Sequence, residues 1–125
     1  MEKVSVAIAS IGRETLLDTL RSLAAVTKPV GIEFNVLVAD DSKSGAATKL
    51  VASHPIKSLD VTCLAVASGN ISSARNALLD AADGDWLIFV DDDEWVERNW
   101  LEKLFACQKD FNADVVIGPV KPRYP

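Results

Sequence analysis

The stretch NISSARNALLDAADGDWLIFVDDDEW, residues 70–95, decides the fold because its periodicity changes within one short segment. Its first half repeats apolar residues at helical spacing: Ile71, Ala74, Leu78 and Ala81. That spacing predicts a helix over Ile71–Ala82. After Gly84 comes Trp86–Val90 (WLIFV), a continuous apolar run typical of a strand that is covered on both faces. A helix that leads into a buried strand is the repeating part of a parallel α/β sheet.

The same alternation of strand and helix continues on both sides of this segment. Strands are predicted at Val4–Ser10, Glu33–Ala39, Val61–Val66, Trp86–Val90 and Asp114–Gly118. Helices are predicted at Glu14–Val26, Ala46–Ala52, Ile71–Ala82 and Asn99–Phe111. This order predicts an α/β protein, a Rossmann-like three-layer α/β/α sandwich whose mostly parallel sheet has the core strand order 3-2-1-4. A length of 125 residues fits a single domain over residues 1–125.

Acidic residues follow two of the predicted strands, at the edge of the sheet where ligands of such folds bind. Asp40 and Asp41 follow the second strand, and Asp91–Asp93 follow the fourth. In an extended segment Asp91 and Asp93 point to the same side, so that both can address one ion. Mg²⁺ and Mn²⁺ take carboxylate and phosphate oxygens, and the run of acids therefore predicts a site for one of these ions. The alternative is a solvated turn before a helix, where the helix dipole favours acidic residues.

The segment after the first strand, SIGRET at residues 10–15, contains no glycine-rich phosphate loop. It has neither the dinucleotide-binding fingerprint nor the Walker motif, which argues against both kinds of nucleotide site. The phosphates of a bound nucleotide would then be neutralised by a metal ion and by side chains such as Arg13 or Arg75. The alternative for either arginine is a surface salt bridge.

Composition narrows the class of protein. The chain is 49% hydrophobic and 25% charged, as in soluble globular proteins, and its net charge of −5 argues against nucleic-acid binding. Cys63 and Cys107 lie in different predicted elements and are interpreted as free thiols. Together with the absence of a signal-peptide pattern, this favours a cytoplasmic protein. Peripheral association of the full-length protein with the inner face of the cell membrane stays open, as does its oligomeric state.

Three segments, in chain order, resemble the family 2 glycosyltransferases. VSVAIASIGR (residues 4–13) resembles a strand followed by P-T-Y-N-R in that family, and VLVADDS (residues 36–42) resembles its V-V-D-D-G-S segment. Residues 70–95 resemble the stretch in which an A-R-N helix leads through A-x-G into a strand that ends in D-x-D. The resemblance implies a GT-A fold, which agrees with the alternation of strands and helices.

The resemblance also implies site residues. It places the following residues against the nucleotide: Ser10, Ile11, Arg13, Asp41, Arg75, Asn76, Asp91 and Asp92. Asp41 would contact the base or ribose, and Asp93, with Asp91, would hold Mg²⁺ or Mn²⁺. Glu94 is expected to lie outside the site.

The activity implied by the resemblance is transfer of a sugar from a nucleoside-diphosphate sugar to a saccharide or lipid-linked acceptor. Such a reaction would serve polysaccharide or glycoconjugate synthesis, and in this family it inverts the anomeric centre. The catalytic base that activates the acceptor is expected beyond residue 125, so the chain is expected to end before the acceptor-binding part. Ala9–Gly12 departs from P-T-Y-N and lacks its aromatic ring, which leaves the identity of the nucleotide open.

Two other functions fit part of the pattern. A receiver-type signalling domain has a similar length, an acidic Mg²⁺ pocket and a Lys-Pro pair, here Lys121-Pro122. Its acidic pair, however, belongs at the end of the first strand, whereas here the acids follow the second and fourth. A non-catalytic nucleotide-binding module would keep the same fold and pocket without turnover.

Overall fold

The computed structural model describes residues 2–82, 84–111 and 121–122, with the side chains of residues 2–82 and 84–106. Its elements, in chain order, are β1 (Glu2–Ser10), α1 (Thr15–Ala24), β2 (Ile32–Asp40), α2 (Ala46–Ser53), β3 (Val61–Ala65), α3 (Ile71–Ala81), β4 (Trp86–Phe89), β5 (Glu94–Trp95), α4 (Trp100–Phe111) and β6 (Lys121–Pro122). The predicted helices and the first four predicted strands are therefore present, with ends that move by one or two residues. The predicted strand Asp114–Gly118 lies outside the described residues.

The main sheet has four parallel strands in the order β3-β2-β1-β4. This order confirms the predicted 3-2-1-4 core of a GT-A-like Rossmann fold. The chain moves outward from β1 to β2 and β3, and then returns to add β4 on the other side of β1. The switch point between β1 and β4 is where such sheets bind ligands. A receiver-type domain has the order 2-1-3-4-5 instead, so its topology does not match this chain.

The sheet separates two apolar layers because residues alternate in direction along each strand. On one face Val6 and Ile8 of β1 pack into a core with residues of α1, α2 and α4. On the other face Ala7 packs with Ala74 and Leu78 of α3, and the small alanine side chains let this helix lie close to the sheet. Each fully buried branched side chain stabilises the fold by about 1.5–3 kcal/mol. The predicted three-layer arrangement is confirmed.

A second, two-stranded sheet joins β5 to β6 in antiparallel register, with Trp95 opposite Lys121. No local pattern in the sequence predicts these strands, because each is only two residues long. Their pairing depends on bringing together segments that lie far apart in the chain.

The longest described helix, α4, has 12 residues. Crossing the hydrocarbon core of a bilayer takes about 20 apolar residues in a helix. Among the described residues no helix has the length and apolarity for such a span.

Gly12, in the loop between β1 and α1, lies against the start of α2. Its φ is 95°, and a Cβ atom added to it would lie 2.7 Å from the Cβ of Ala46 and 2.9 Å from the backbone nitrogen of Ala47. Gly12→Ala therefore combines a strained backbone with a clash against backbone atoms. We expect it to lower the free energy of unfolding by about 2 kcal/mol, measured by urea denaturation.

Gly31→Ala is the matched control for this prediction. Gly31 also has a positive φ, 81°, but a Cβ there would meet no atom within 4 Å. Gly31→Ala should therefore lower the free energy of unfolding only through its strained backbone conformation, by about 1 kcal/mol. Equal losses of unfolding free energy in the two variants would contradict a role for close packing at Gly12.

Candidate functional site

Asp92 joins the acidic run to the end of β1. Its side chain is buried, and its carboxylate accepts hydrogen bonds from the Ser10 hydroxyl at 2.8 Å and from the Arg13 Nε at 3.3 Å. The Nη2 of Arg13 donates to its second carboxylate oxygen. A buried carboxylate is stable only when it is paired in this way. Asp92 is therefore fully engaged within the protein.

Arg13 contacts the acids and is partly exposed to solvent. Its side chain is 52% exposed, and its Nη2 also lies 3.8 Å from the Oδ2 of Asp93. The hydrogen bond to Asp92, together with that residue's negative charge, raises the pKa of Arg13 above its ordinary value. The guanidinium thus remains charged and partly open to a ligand at the edge of the acidic run.

Asp91 to Glu94 form a tight turn. The backbone N–H of Asp91 donates to the Oε1 of Glu94 at 2.9 Å, and the backbone N–H of Glu94 donates to the carbonyl oxygen of Asp91 at 3.3 Å. Burial, and after it the negative charges of Asp91 and Asp93, raises the pKa of Glu94. Glu94 closes the turn from within, while Asp91 is exposed and Asp93 is half-buried.

The turn offers a cation two carboxylates, those of Asp91 and Asp93. Among the side chains that the structure describes, those of residues 2–82 and 84–106, no group of three or more His, Cys, Asp or Glu is arranged to hold a metal ion. Mg²⁺ in proteins is usually bound by one or two carboxylates, with substrate phosphates and water completing the shell. The residues present therefore fit an ion that binds together with a phosphate ligand, and not a closed protein cage.

A cavity of about 260 Å³ opens beside this turn. Besides Arg13 and the three aspartates, its lining includes Ala9, Ile71 and Arg75. The guanidinium of Arg75 lies 5.8 Å from the ring centroid of Phe89, which is a cation–π distance. Two arginines and three aspartates thus face one opening at the switch point, and the pocket carries both signs of charge.

Asp41 organises the loop between β3 and α3. Its Oδ1 accepts hydrogen bonds from the backbone N–H of Ser68 at 2.7 Å, from the Ser68 hydroxyl at 2.8 Å and from the N–H of Gly69 at 3.0 Å. The hydrogen bond from the Ser68 hydroxyl, with those from the backbone, lowers the pKa of Asp41. The next residue in this loop, Asn70, caps α3 by accepting from the N–H of Ser72 at 2.8 Å. Asp41 thereby holds the start of the helix that carries Arg75.

Asp40, the neighbour of Asp41, has a structural place that sequence patterns do not predict. It is 1% exposed, and its carboxylate accepts hydrogen bonds from the N–H and hydroxyl groups of both Ser42 and Thr48. Burial alone would raise its pKa, but these four hydrogen bonds outweigh burial and lower the pKa to about 2. Asp40 thus fixes the first turn of α2 to the end of β2.

The predicted site residues fall into two groups. Arg13, Arg75 and the three aspartates line one cavity. The others lie outside that lining: Ser10, Ile11, Asp41 and Asn76. Ser10 supports the cavity through Asp92, whereas Ile11 is 61% exposed in the neighbouring loop. Asn76 is exposed on α3.

Comparison with known proteins places the chain among glycosyltransferases. It is similar to the succinoglycan biosynthesis protein ExoM of Rhizobium meliloti, with 37% identity over 97% of this chain and 40% of the relative. It is 30% identical to the poly(ribitol-phosphate) beta-N-acetylglucosaminyltransferase TarS of Staphylococcus aureus, over 97% of this chain and 21% of TarS. The chain thus spans two fifths or less of the length of these relatives.

A solved structure agrees with these similarities. The crystal structure of S. aureus TarS in complex with UDP-GlcNAc matches with a TM-score of 0.71 and 28% identity, over 91% of this chain and 33% of that one. The family model described as "Glycosyl transferase family 2" matches residues 5–125. This chain therefore belongs to glycosyl transferase family 2.

Proposed function

We propose that this chain is the donor-binding part of an inverting glycosyltransferase that uses a nucleoside-diphosphate sugar. The cavity at the switch point carries this proposal, because arginines and aspartates face the same opening there. A diphosphate with a divalent cation needs both kinds of partner: cationic side chains for its free oxygens, and carboxylates for the ion.

The donor that we propose is a UDP-sugar. TarS has been crystallised with UDP-GlcNAc and with UDP, and these structures are 28% and 26% identical to this chain. The proposed acceptor is a saccharide or a lipid-linked saccharide in polysaccharide or glycoconjugate synthesis, reached from the cytoplasmic side.

Within the cavity, Asp93 and Asp91 would hold Mg²⁺ or Mn²⁺, and Arg13 and Arg75 would lie beside the diphosphate. The bound ion would stabilise the charge that develops on the departing nucleoside diphosphate. Asp92 would keep Arg13 in place, since its two oxygens already bond to that side chain. Asp41, with Ser10, Ile11 and Asn76, would complete the side of the site that contacts the nucleoside. We propose that the catalytic base lies beyond residue 125.

Calorimetric titration of the chain with UDP, GDP and dTDP tests the proposal. We expect UDP to bind best, and to bind at least about tenfold more tightly with Mn²⁺ than with EDTA, because the ion links two carboxylates to the diphosphate. Failure of all three nucleotides to bind, or equal affinity with and without Mn²⁺, would contradict it. Metal-dependent binding without sugar transfer by the full-length protein would favour the non-catalytic module.

A further inference from the structure

A hydroxyl group of α1 contacts the end of the turn formed by Asp91–Glu94, here called the acidic turn. Thr19 is fully buried on this helix, and its Oγ1 donates a hydrogen bond to the backbone carbonyl oxygen of Glu94. Threonine inside a helix commonly bonds only to the carbonyl four residues earlier, which here is Thr15 at 3.2 Å. Because the hydroxyl also reaches a second element, it connects α1 to the segment that follows the acids.

A second hydroxyl of α1 contacts Val96, the residue that follows β5. The Ser22 Oγ donates to the carbonyl oxygen of Thr19 at 2.7 Å and accepts from the backbone N–H of Val96 at 3.1 Å. The two hydroxyls therefore bond to the backbone on either side of Trp95: one to the carbonyl oxygen of Glu94 and the other to the N–H of Val96. Just beyond, the backbone N–H of Thr27 donates to the carbonyl oxygen of Arg98 at 2.8 Å.

The acidic turn is fixed at its other end by the sheet. The backbone N–H of Val90 donates to the carbonyl oxygen of Ala7 in β1 at 3.0 Å. Residues 91–93 thus lie between two anchors, one made by β1 and the other by the hydroxyls of α1. The backbone path between these anchors determines how far apart the carboxylates of Asp91 and Asp93 lie.

We propose that Thr19 and Ser22 are positioning residues for cation binding, acting through the backbone of residues 94–96. This inference rests on the proposed function, since it concerns the same cation and diphosphate. Neither residue lines the cavity; each hydroxyl fixes the backbone that directly follows Asp91–Asp93. The hydrogen bonds that join these hydroxyls to the backbone of Glu94 and Val96 distinguish this role from simple helix packing, in which the hydroxyls would bond only within α1.

Thr19→Val tests the proposal, because it keeps the shape of the side chain and removes the hydroxyl. We expect UDP affinity in the presence of Mn²⁺ to fall about fivefold, the effect of one lost hydrogen bond, while affinity in EDTA stays unchanged. Thr19→Ser keeps the hydroxyl and should retain the metal-dependent affinity of the wild type. Ser22→Ala should behave like Thr19→Val, and it serves as the test if the valine variant does not fold.

Several outcomes would overturn the inference. Variants that lower the melting temperature but keep the wild-type ratio of affinities with and without Mn²⁺ would show that the hydroxyls only stabilise the fold. Loss of this affinity in the serine variant would also contradict it. If the wild-type chain binds UDP independently of Mn²⁺, the proposed metal site itself fails, and this inference fails with it.

Discussion

Asp93→Ala is expected to remove the Mn²⁺-dependent part of UDP binding while leaving the fold intact. The Asp93 side chain is 41% exposed in the cavity, and its contact with Arg13 is long, at 3.8 Å. Truncation therefore deletes a carboxylate from the cation site without breaking a close hydrogen bond. We expect UDP affinity in Mn²⁺ to fall by about tenfold or more, to the value measured in EDTA. Calorimetry gives the affinities, and thermal unfolding tests the fold.

Asp80→Ala is the matched control, because Asp80 is an exposed aspartate on α3 that does not line the cavity. It removes the same negative charge from the protein and should leave both affinities unchanged. If Asp93→Ala kept the wild-type response to Mn²⁺, Asp93 would not be a metal ligand. If both variants lost affinity equally, the effect would come from net charge and not from coordination.

The fold could be predicted because its signals are local and repeat along the chain. Leu78 and Ala74 recur at helical spacing, and they are the residues of α3 that pack on the sheet. Alternation along β1 separates Ile8 from Ala7 and so defines the two faces. Such patterns also predict the strand order, since the connections of parallel strands follow few routes. The pair β5–β6 has no local pattern of this kind and depends on contacts between distant segments.

The site was harder to predict, because neighbouring acids in the sequence have different environments in the fold. The prediction that Asp91 and Asp93 share a side assumed an extended segment, and this assumption is wrong because residues 91–94 form a turn. Within that turn Asp91 and Asp93 keep exposed area, while Asp92 is buried. Residues Asp40 and Asp41 look alike in the sequence. Only the packing of α2 against the end of β2 shows that Asp40 is enclosed by Ser42 and Thr48, and no spacing rule predicts those partners.

Asp40→Asn is expected to lower the free energy of unfolding by about 2 kcal/mol at neutral pH. The buried carboxylate accepts four hydrogen bonds from Ser42 and Thr48. An asparagine of the same shape presents an amide group to two of these donors, so some hydrogen bonds are lost and unpaired donors stay buried. Urea denaturation followed by circular dichroism measures the change.

The pH dependence of stability tests the same contact independently. The pKa of Asp40 falls from its ordinary value of 3.8 to about 2 on folding, so the unfolded chain takes up this proton first as the pH drops. The stabilisation, about 2 kcal/mol, is therefore complete above the unfolded-state pKa and is lost as the pH falls from about 4 to about 2. In Asp40→Asn this part of the acid sensitivity should be missing, so the stability difference from wild type should shrink over that range.

Asp60→Asn, at an exposed aspartate just before β3, should keep the wild-type profile. An Asp40→Asn profile parallel to wild type down to about pH 2 would mean that the four hydrogen bonds do not favour the ionised carboxylate.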